Sequence, residues 1–96
     1  MGPSRKSLQT HEHDALRGLV GRWRGETGLS QRDLSARLGR PHNFVVKVEG
    51  GQRGLDVVEA VEIVRALGRD PTEFFAEFCR LIGERPQRPP RPEEGR

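Results

Sequence analysis

Four side chains on one side of a short helical pattern have the chemistry to read the edges of DNA bases: His42, Asn43, Val46 and Lys47. An Asn amide pairs a donor with an acceptor toward adenine, and an imidazole donates to a purine acceptor. A Lys ammonium reaches guanine or a phosphate, and a Val meets the thymine methyl group. Each of the four could instead contact only the phosphate backbone, which carries no sequence information directly. The opposite side of the pattern is apolar, with Pro41, Phe44, Val45 and Val48, and predicts packing on a supporting domain.

This pattern is the second of two short helices that a tight turn separates. Ser30 is predicted to cap the first helix, with Asp33 as its acidic partner three residues on. Gly39 can adopt the positive φ that ends a helix, and Pro41 suits the first position of the next one. Helices this short are not stable alone. Together they predict a helix-turn-helix held by a larger domain.

The flanking segments are predicted to supply that domain. A first helix over 10–27, with Thr10 as its predicted cap, carries a core-facing set at helical spacing: Leu16, Leu19, Val20 and Trp23. The loop over 50–54 is rich in glycine and carries Arg53, so it either approaches phosphates closely or simply connects two helices. The next helix, over 56–67, begins with a capping box of Asp56 and Glu59. Because it is apolar around most of its circumference, it is expected to be buried on nearly all sides.

A last helix is predicted over 71–82, after the cap and proline of Asp70-Pro71. It carries more apolar surface than the terminal helix of a small monomer normally buries. Part of this surface therefore predicts a dimer interface, with core packing alone as the alternative. The candidate interface residues are Phe74, Phe75, Phe78, Leu81 and Ile82. Cys79 on the same helix is interpreted as a small apolar filler.

Length and composition indicate one small domain with two unpacked ends. The chain has 96 residues, and we expect a disordered basic arm over 1–9, the helical domain over 10–83, and a disordered Pro/Arg-rich tail over 84–96. Residues 1–58 hold ten Lys/Arg against six Asp/Glu. The basic surplus therefore lies over the predicted reader, as a polyanionic partner requires.

Several classes of function find no support in the residues. The single Cys79 excludes an intrachain disulfide and a cysteine-based zinc site within one chain. The cluster over 11–14 places His, Glu, His and Asp in different directions on a helix, so it is a poor chelate, and no metal or cofactor is expected. We find no nucleophile paired with a base, so no enzyme is expected. No run approaches the length of a membrane span and no secretory signal is evident, so we expect a cytoplasmic protein without membrane contact.

The chain resembles the Cro-like helix-turn-helix regulators, also called the xenobiotic-response-element family. The similar region runs from Leu16 to Phe75, and family spacing holds for the run Gly28-Leu29-Ser30-Gln31 and for Leu34, Gly39, Glu49, Gly51 and Ala66-Leu67-Gly68. The resemblance implies an all-α, five-helix, lambda-repressor-like domain with the helix-turn-helix at its second and third helices. It implies sequence-specific binding of double-stranded DNA by a homodimer. Three positions depart from the family: Ser35 replaces the usual alanine, Arg40 a small apolar residue, and Pro41 the usual Ser or Thr cap.

The resemblance also implies roles for single residues. Gln31 matches a glutamine that contacts a phosphate and braces the reading helix, and Arg53 matches a loop position near phosphates. With Arg32 and Arg40, these are the expected phosphate contacts. Arg24 and Glu49 match positions that often pair and, with Trp23, are expected to support the reading helix.

Two functions follow from the sequence. The first is a transcriptional regulator, as a repressor, that binds a palindromic operator as a homodimer. The alternative is a DNA-binding antitoxin, or another interaction module, whose C-terminal region neutralises a partner protein. A toxin-like neighbouring reading frame would favour the antitoxin, and a divergent promoter would favour the repressor.

Overall fold

The computed structural model describes residues 10–83, which form five α-helices and no strand. They are α1 (His11–Thr27), α2 (Gln31–Arg37), α3 (Phe44–Glu49), α4 (Val57–Ala66) and α5 (Pro71–Ile82). This all-α fold confirms the prediction. The predicted basic arm over 1–9 and the predicted tail over 84–96 lie outside the described residues. Within 10–83, no helix combines the length and the apolarity that a membrane crossing requires.

Four of the five helices begin with the side-chain caps that the sequence predicts: Thr10, Ser30, Asp56 and Asp70. At α4 both halves of the capping box form. The backbone N–H of Glu59 donates to Asp56 over 2.7 Å, and that of Asp56 donates to Glu59 Oε1 over 3.1 Å. Caps of this kind satisfy first-turn amides from within a few residues, which explains why local sequence is enough to predict them.

The helices pack around one apolar core. α1 lies against α3 and α5, α2 against α3 and α4, and α4 against α5. Trp23 meets Phe74 edge to face, with ring centroids 5.1 Å apart and ring planes at 88°. The core residues that exclude solvent almost completely are Leu19, Val20, Leu34, Val45, Ile63, Val64 and Phe74. Because α2 has seven residues and α3 six, both depend on this packing for their helical conformation.

The expectation that the fourth helix is buried nearly all round is wrong. Val57 and Val58 in its first turn are 68% and 65% exposed. Ala60, Ile63 and Val64 face the core, and Glu62 and Arg65 are exposed. Among the described residues, α2 and α5 are the helices that pack most against α4, and one side of its N-terminal turn faces solvent.

The predicted interface on the last helix also needs correction at one residue. Phe74 is completely buried and belongs to the core, so it cannot meet a second copy of the chain. Phe75, Phe78 and Leu81 are half-buried and pack against the edge of the core, and Ile82 is half-buried at the helix end. Adjacent phenylalanines on a helix point about 100° apart, so a core residue and a partly exposed residue follow each other here.

Candidate nucleic-acid interface

The predicted helix-turn-helix is present, but its second helix starts later than expected. α2 ends at Arg37, and Gly39 adopts the left-handed conformation with φ 68°, as predicted. The helix begins at Phe44, so the predicted start at Pro41 is wrong by three residues. Instead, Pro41 opens a tight turn in which its carbonyl accepts from the Phe44 N–H over 2.9 Å. His42 and Asn43 therefore lie in this turn, directly before α3.

The candidate base contacts all lie at the protein surface. His42 and Asn43 precede α3, whereas Val46 and Lys47 lie within it, and all four are exposed. Val46 keeps 44% of its area exposed, which is unusual for a large apolar residue in this domain. The other side of α3, with Phe44, Val45 and Val48, is buried as predicted, whereas Pro41 is exposed because it lies before the helix and not in its first turn. Contact of the four exposed residues with bases stays a prediction.

One carboxylate near the end of α3 ties this helix to α1 and α2. Glu49 accepts from Arg24 Nε over 2.7 Å and from Arg24 Nη2 over 3.0 Å, a two-point ion pair. Gln31 Nε2 also donates to Glu49, over 2.7 Å. The hydrogen bond to Glu49 raises the pKa of the Arg24 guanidinium, so this cation stays charged. The pairing of Arg24 with Glu49 is the one that the family resemblance implies.

A second carboxylate, Glu59, binds the segments on both sides of α3, although the sequence pattern predicted only its role in the capping box of α4. Glu59 accepts from Arg53 Nη1 and Nη2 over 3.0 and 2.9 Å, and from Arg40 over 3.1 Å. Both guanidinium groups also lie over the Phe44 ring, 4.5 and 4.9 Å from its centre. The hydrogen bonds from Arg53, from the Asp56 amide and from Arg40 lower the pKa of Glu59 from 4.5 to about 2. Glu59 therefore links the segments before and after α3 to the first turn of α4.

An open cleft beside α3 collects cations and amides where a nucleic-acid backbone could lie. The polar side chains along it are Arg40, Asn43, Lys47, Gln52 and Arg53. Arg40, Lys47 and Arg53 outnumber the single Glu59 carboxylate that pairs with the two arginines, so the cleft keeps a net positive charge that attracts a polyanion. The two amides can donate to phosphate oxygens. The cleft joins two of the predicted base contacts, Asn43 and Lys47, to two of the predicted phosphate contacts, Arg40 and Arg53.

The four predicted phosphate contacts have different surroundings. Arg32 is exposed on α2. Gln31 is bonded to Glu49, and Arg40 and Arg53 are bonded to Glu59. Each of the last three is thus held in one orientation before any nucleic acid arrives, which lowers the entropy lost on binding. Their contact with phosphates stays a prediction.

Trp23 supports the site from the opposite side of α1. It is 2% exposed, and its indole N–H donates to Glu77 over 3.2 Å. Glu77 also pairs with Arg22, and the Arg69 guanidinium lies 3.6 Å above the Trp23 ring. These contacts join α1 to α5 and to the loop before it, so the face of α1 that meets α3 is fixed.

Comparisons with known proteins agree with this geometry. The family described as "Helix-turn-helix domain" matches residues 15–83. An uncharacterized HTH-type transcriptional regulator of Methanothermobacter thermautotrophicus is 34% identical over 58 residues, which are 60% of this chain and 84% of that protein. A solved XRE-family like protein from Pseudomonas syringae pv. tomato superposes with a TM-score of 0.71 at 34% identity, covering 88% of this chain and 99% of that one. The chain therefore belongs to the helix-turn-helix family of DNA-binding transcriptional regulators, of the XRE or Cro-like type.

Proposed function

We propose that this regulator is a cytoplasmic repressor that binds a palindromic operator as a homodimer. The observation that carries the proposal is the exposed surface of α3 and its preceding turn, which two carboxylates hold in place. Glu49, the last residue of α3, accepts from Arg24 and Gln31, and Glu59 of α4 accepts from Arg40 before α3 and from Arg53 after it. Such a surface can present base-reading side chains without first having to order itself. Binding alone represses transcription where an operator overlaps a promoter, so this function needs no surface beyond the reader and a dimer contact.

The reading surface divides into base and backbone contacts. Asn43 is assigned to adenine, His42 to a purine acceptor, Val46 to a thymine methyl group and Lys47 to guanine or a phosphate. Gln31, Arg32, Arg40 and Arg53 are assigned to phosphates, which supply affinity and a steep dependence on salt. A dimer places two such surfaces one DNA turn apart, about 34–36 Å, and so prefers a palindrome.

Selection of bound duplexes from a random pool tests this function directly. The expected result is a two-fold symmetric site whose half-sites are spaced by one helical turn. A selected site with a single, asymmetric half would contradict the dimer. A pool that shows no enrichment at any position would contradict sequence-specific reading.

The change Asn43→Ala is expected to weaken operator binding far more than binding to an unrelated duplex. Loss of a two-point contact with adenine should reduce the specific affinity by roughly five- to hundredfold, since such a contact is worth about 1–3 kcal/mol. Gel-shift titrations on both duplexes at one salt concentration measure the ratio. The matched control is Gln52→Ala, which removes an amide from the same cleft but outside α3. Equal weakening on both duplexes by Asn43→Ala would make Asn43 a backbone contact.

The dimer is proposed to pack through the partly exposed flank of α5. Phe75, Phe78, Cys79 and Ile82 are spaced to share one side of this helix. The three apolar residues are half-buried, and Cys79 is exposed, so it does not fill the core of this chain as the sequence suggested. Ile82→Lys should convert the dimer to a monomer in sedimentation equilibrium at micromolar concentration. The cation suits a helix C-terminus, so the fold should tolerate it. The matched control is Val58→Glu, an anion in the exposed first turn of α4. If Val58→Glu produces monomers and Ile82→Lys does not, the interface lies on α4 instead.

A further inference from the structure

The first turn of α3 is capped from another helix. The Ser35 hydroxyl of α2 accepts a hydrogen bond from the Val45 backbone N–H over 3.0 Å. Ser35 is completely buried, and within residues 10–83 it is the single buried residue with a polar side chain. An amide buried at a helix start needs such a partner, because an unsatisfied buried donor is costly. Ser35 therefore supplies the cap of α3 across the turn.

Asn43 occupies the position that normally provides this cap. An Asn before a helix usually adopts an extended backbone, and its side-chain oxygen accepts from the second or third amide. Asn43 instead has φ −98° and ψ 8°, and its side chain makes no capping hydrogen bond. The Asn43 side chain is exposed and lines the cleft with Lys47.

We propose that Ser35 is a positioning residue for sequence reading. By satisfying the Val45 amide, it removes the need for Asn43 to turn inward, and so keeps both the donor and the acceptor of that amide side chain available to a base. The proposal rests on the proposed role of Asn43 as a base contact. It also gives a physical role to Ser35 at a position where the resembling regulators usually have alanine.

The competing explanation is that Ser35 only stabilises the crossing of α2 and α3. Both explanations predict that Ser35→Ala lowers the melting temperature. They differ in what happens to Asn43. If the two side chains compete for one amide, Asn43 must become a cap when Ser35 is lost, and its amide group is then withdrawn from the cleft. A purely structural Ser35 leaves Asn43 where it is.

A double-mutant cycle in the full chain separates the two explanations. The variants are Ser35→Ala, Asn43→Ala and the double change, each measured for melting temperature and for the ratio of operator to unrelated-duplex affinity. We expect Ser35→Ala to lower that ratio by about fivefold or more, approaching the loss in Asn43→Ala. We also expect Asn43→Ala to lower the melting temperature by about 4–8 °C in the Ser35→Ala background, as the loss of a helix cap does. In the original chain it should have little effect on the melting temperature.

Ser30→Ala is the matched control. Ser30 caps α2 in the conventional way, accepting from the Asp33 N–H over 2.9 Å, and it is exposed. Its loss should lower the melting temperature while the affinity ratio stays unchanged. If Ser35→Ala does not fold, Ser35→Cys takes its place in the cycle, because a thiol has nearly the same shape and is a weaker acceptor.

The outcomes are distinct. An unchanged affinity ratio in Ser35→Ala, together with additive melting temperatures in the cycle, would overturn the proposal. If the single change Asn43→Ala leaves the ratio of operator to unrelated-duplex affinity unchanged, the proposed base contact of Asn43 is overturned. The reading role inferred for Ser35 is then overturned with it. In that case the melting temperatures still decide whether the two side chains compete for the Val45 amide.

Discussion

Phe74→Ala is expected to cost about 3–5 kcal/mol of unfolding free energy, the largest loss from any single change considered for this domain. Phe74 is completely buried, and its ring packs edge to face against Trp23 and against Phe75. The truncated side chain would leave a cavity where α1 and α5 meet. Since domains of this size have a total stability of about 5–15 kcal/mol, a large fraction of it would be lost.

The measurement is urea denaturation followed by Trp fluorescence. Trp23 is the single tryptophan of the chain and touches the altered site directly, so its emission reports both unfolding and local repacking. The matched control is Phe75→Ala, the same substitution one residue on. Because Phe75 is only half-buried, its loss should cost less than that of Phe74. An equal or larger cost for Phe75→Ala would contradict the placement of Phe74 in the core.

Glu59→Gln is expected to lower stability by an amount that depends on pH. At neutral pH the change removes the charge that pairs with Arg40 and Arg53. We expect a loss of roughly 1–3 kcal/mol, because both arginines are partly exposed and water screens the two ion pairs. The pKa of Glu59 is 4.5 without the fold's interactions and about 2 within them. A carboxyl whose pKa is depressed by folding stabilises the fold fully above its unfolded pKa, and this contribution disappears as the pH falls through the folded pKa.

The pH window for this effect follows from those two values. The difference in unfolding free energy between the original chain and Glu59→Gln should be constant above about pH 5 and shrink as the pH falls from 4.5 toward 2. Urea denaturation at a series of pH values measures it. Glu62→Gln is the matched control, because Glu62 is an exposed carboxylate on the same helix. A difference for Glu59→Gln that does not change between pH 5 and pH 2 would show that the carboxylate charge is not what holds the two arginines.

The two carboxylates also explain how so short a helix can present a reading surface. α3 has six residues and cannot hold its conformation alone. Glu49 fixes it to α1 and α2, whereas Glu59 fixes the segments on either side of it to α4. The side of α3 that faces away from the core carries the exposed residues Val46 and Lys47, which are therefore free to contact a nucleic acid.

Sequence alone determined where most helices begin and which of their faces are apolar. Caps such as Ser30 and the pair of Asp56 and Glu59 bind partners three residues away, so the neighbouring residues in the sequence are sufficient to predict them. Gly39 at φ 68° is likewise a local requirement of the turn. These signals, with helical periodicity, were enough for the all-α architecture and for the exposed surface of α3.

Tertiary structure decided the features that join residues distant in the chain. Glu59 and Arg40 are 19 residues apart, and Ser35 and Val45 are ten apart, so no local pattern connects them. The late start of α3 at Phe44 and the exposure of Val57 and Val58 likewise depend on which neighbours the folded chain provides. Periodicity identified the apolar residues of α5 but could not predict that Phe74 is completely buried and Phe75 only half-buried. The extent of burial depends on which part of the folded domain lies opposite each side chain. Hydrogen bonds between residues close in the chain can therefore be predicted from the sequence. The partners of a long side chain from distant segments are determined only by how the helices pack.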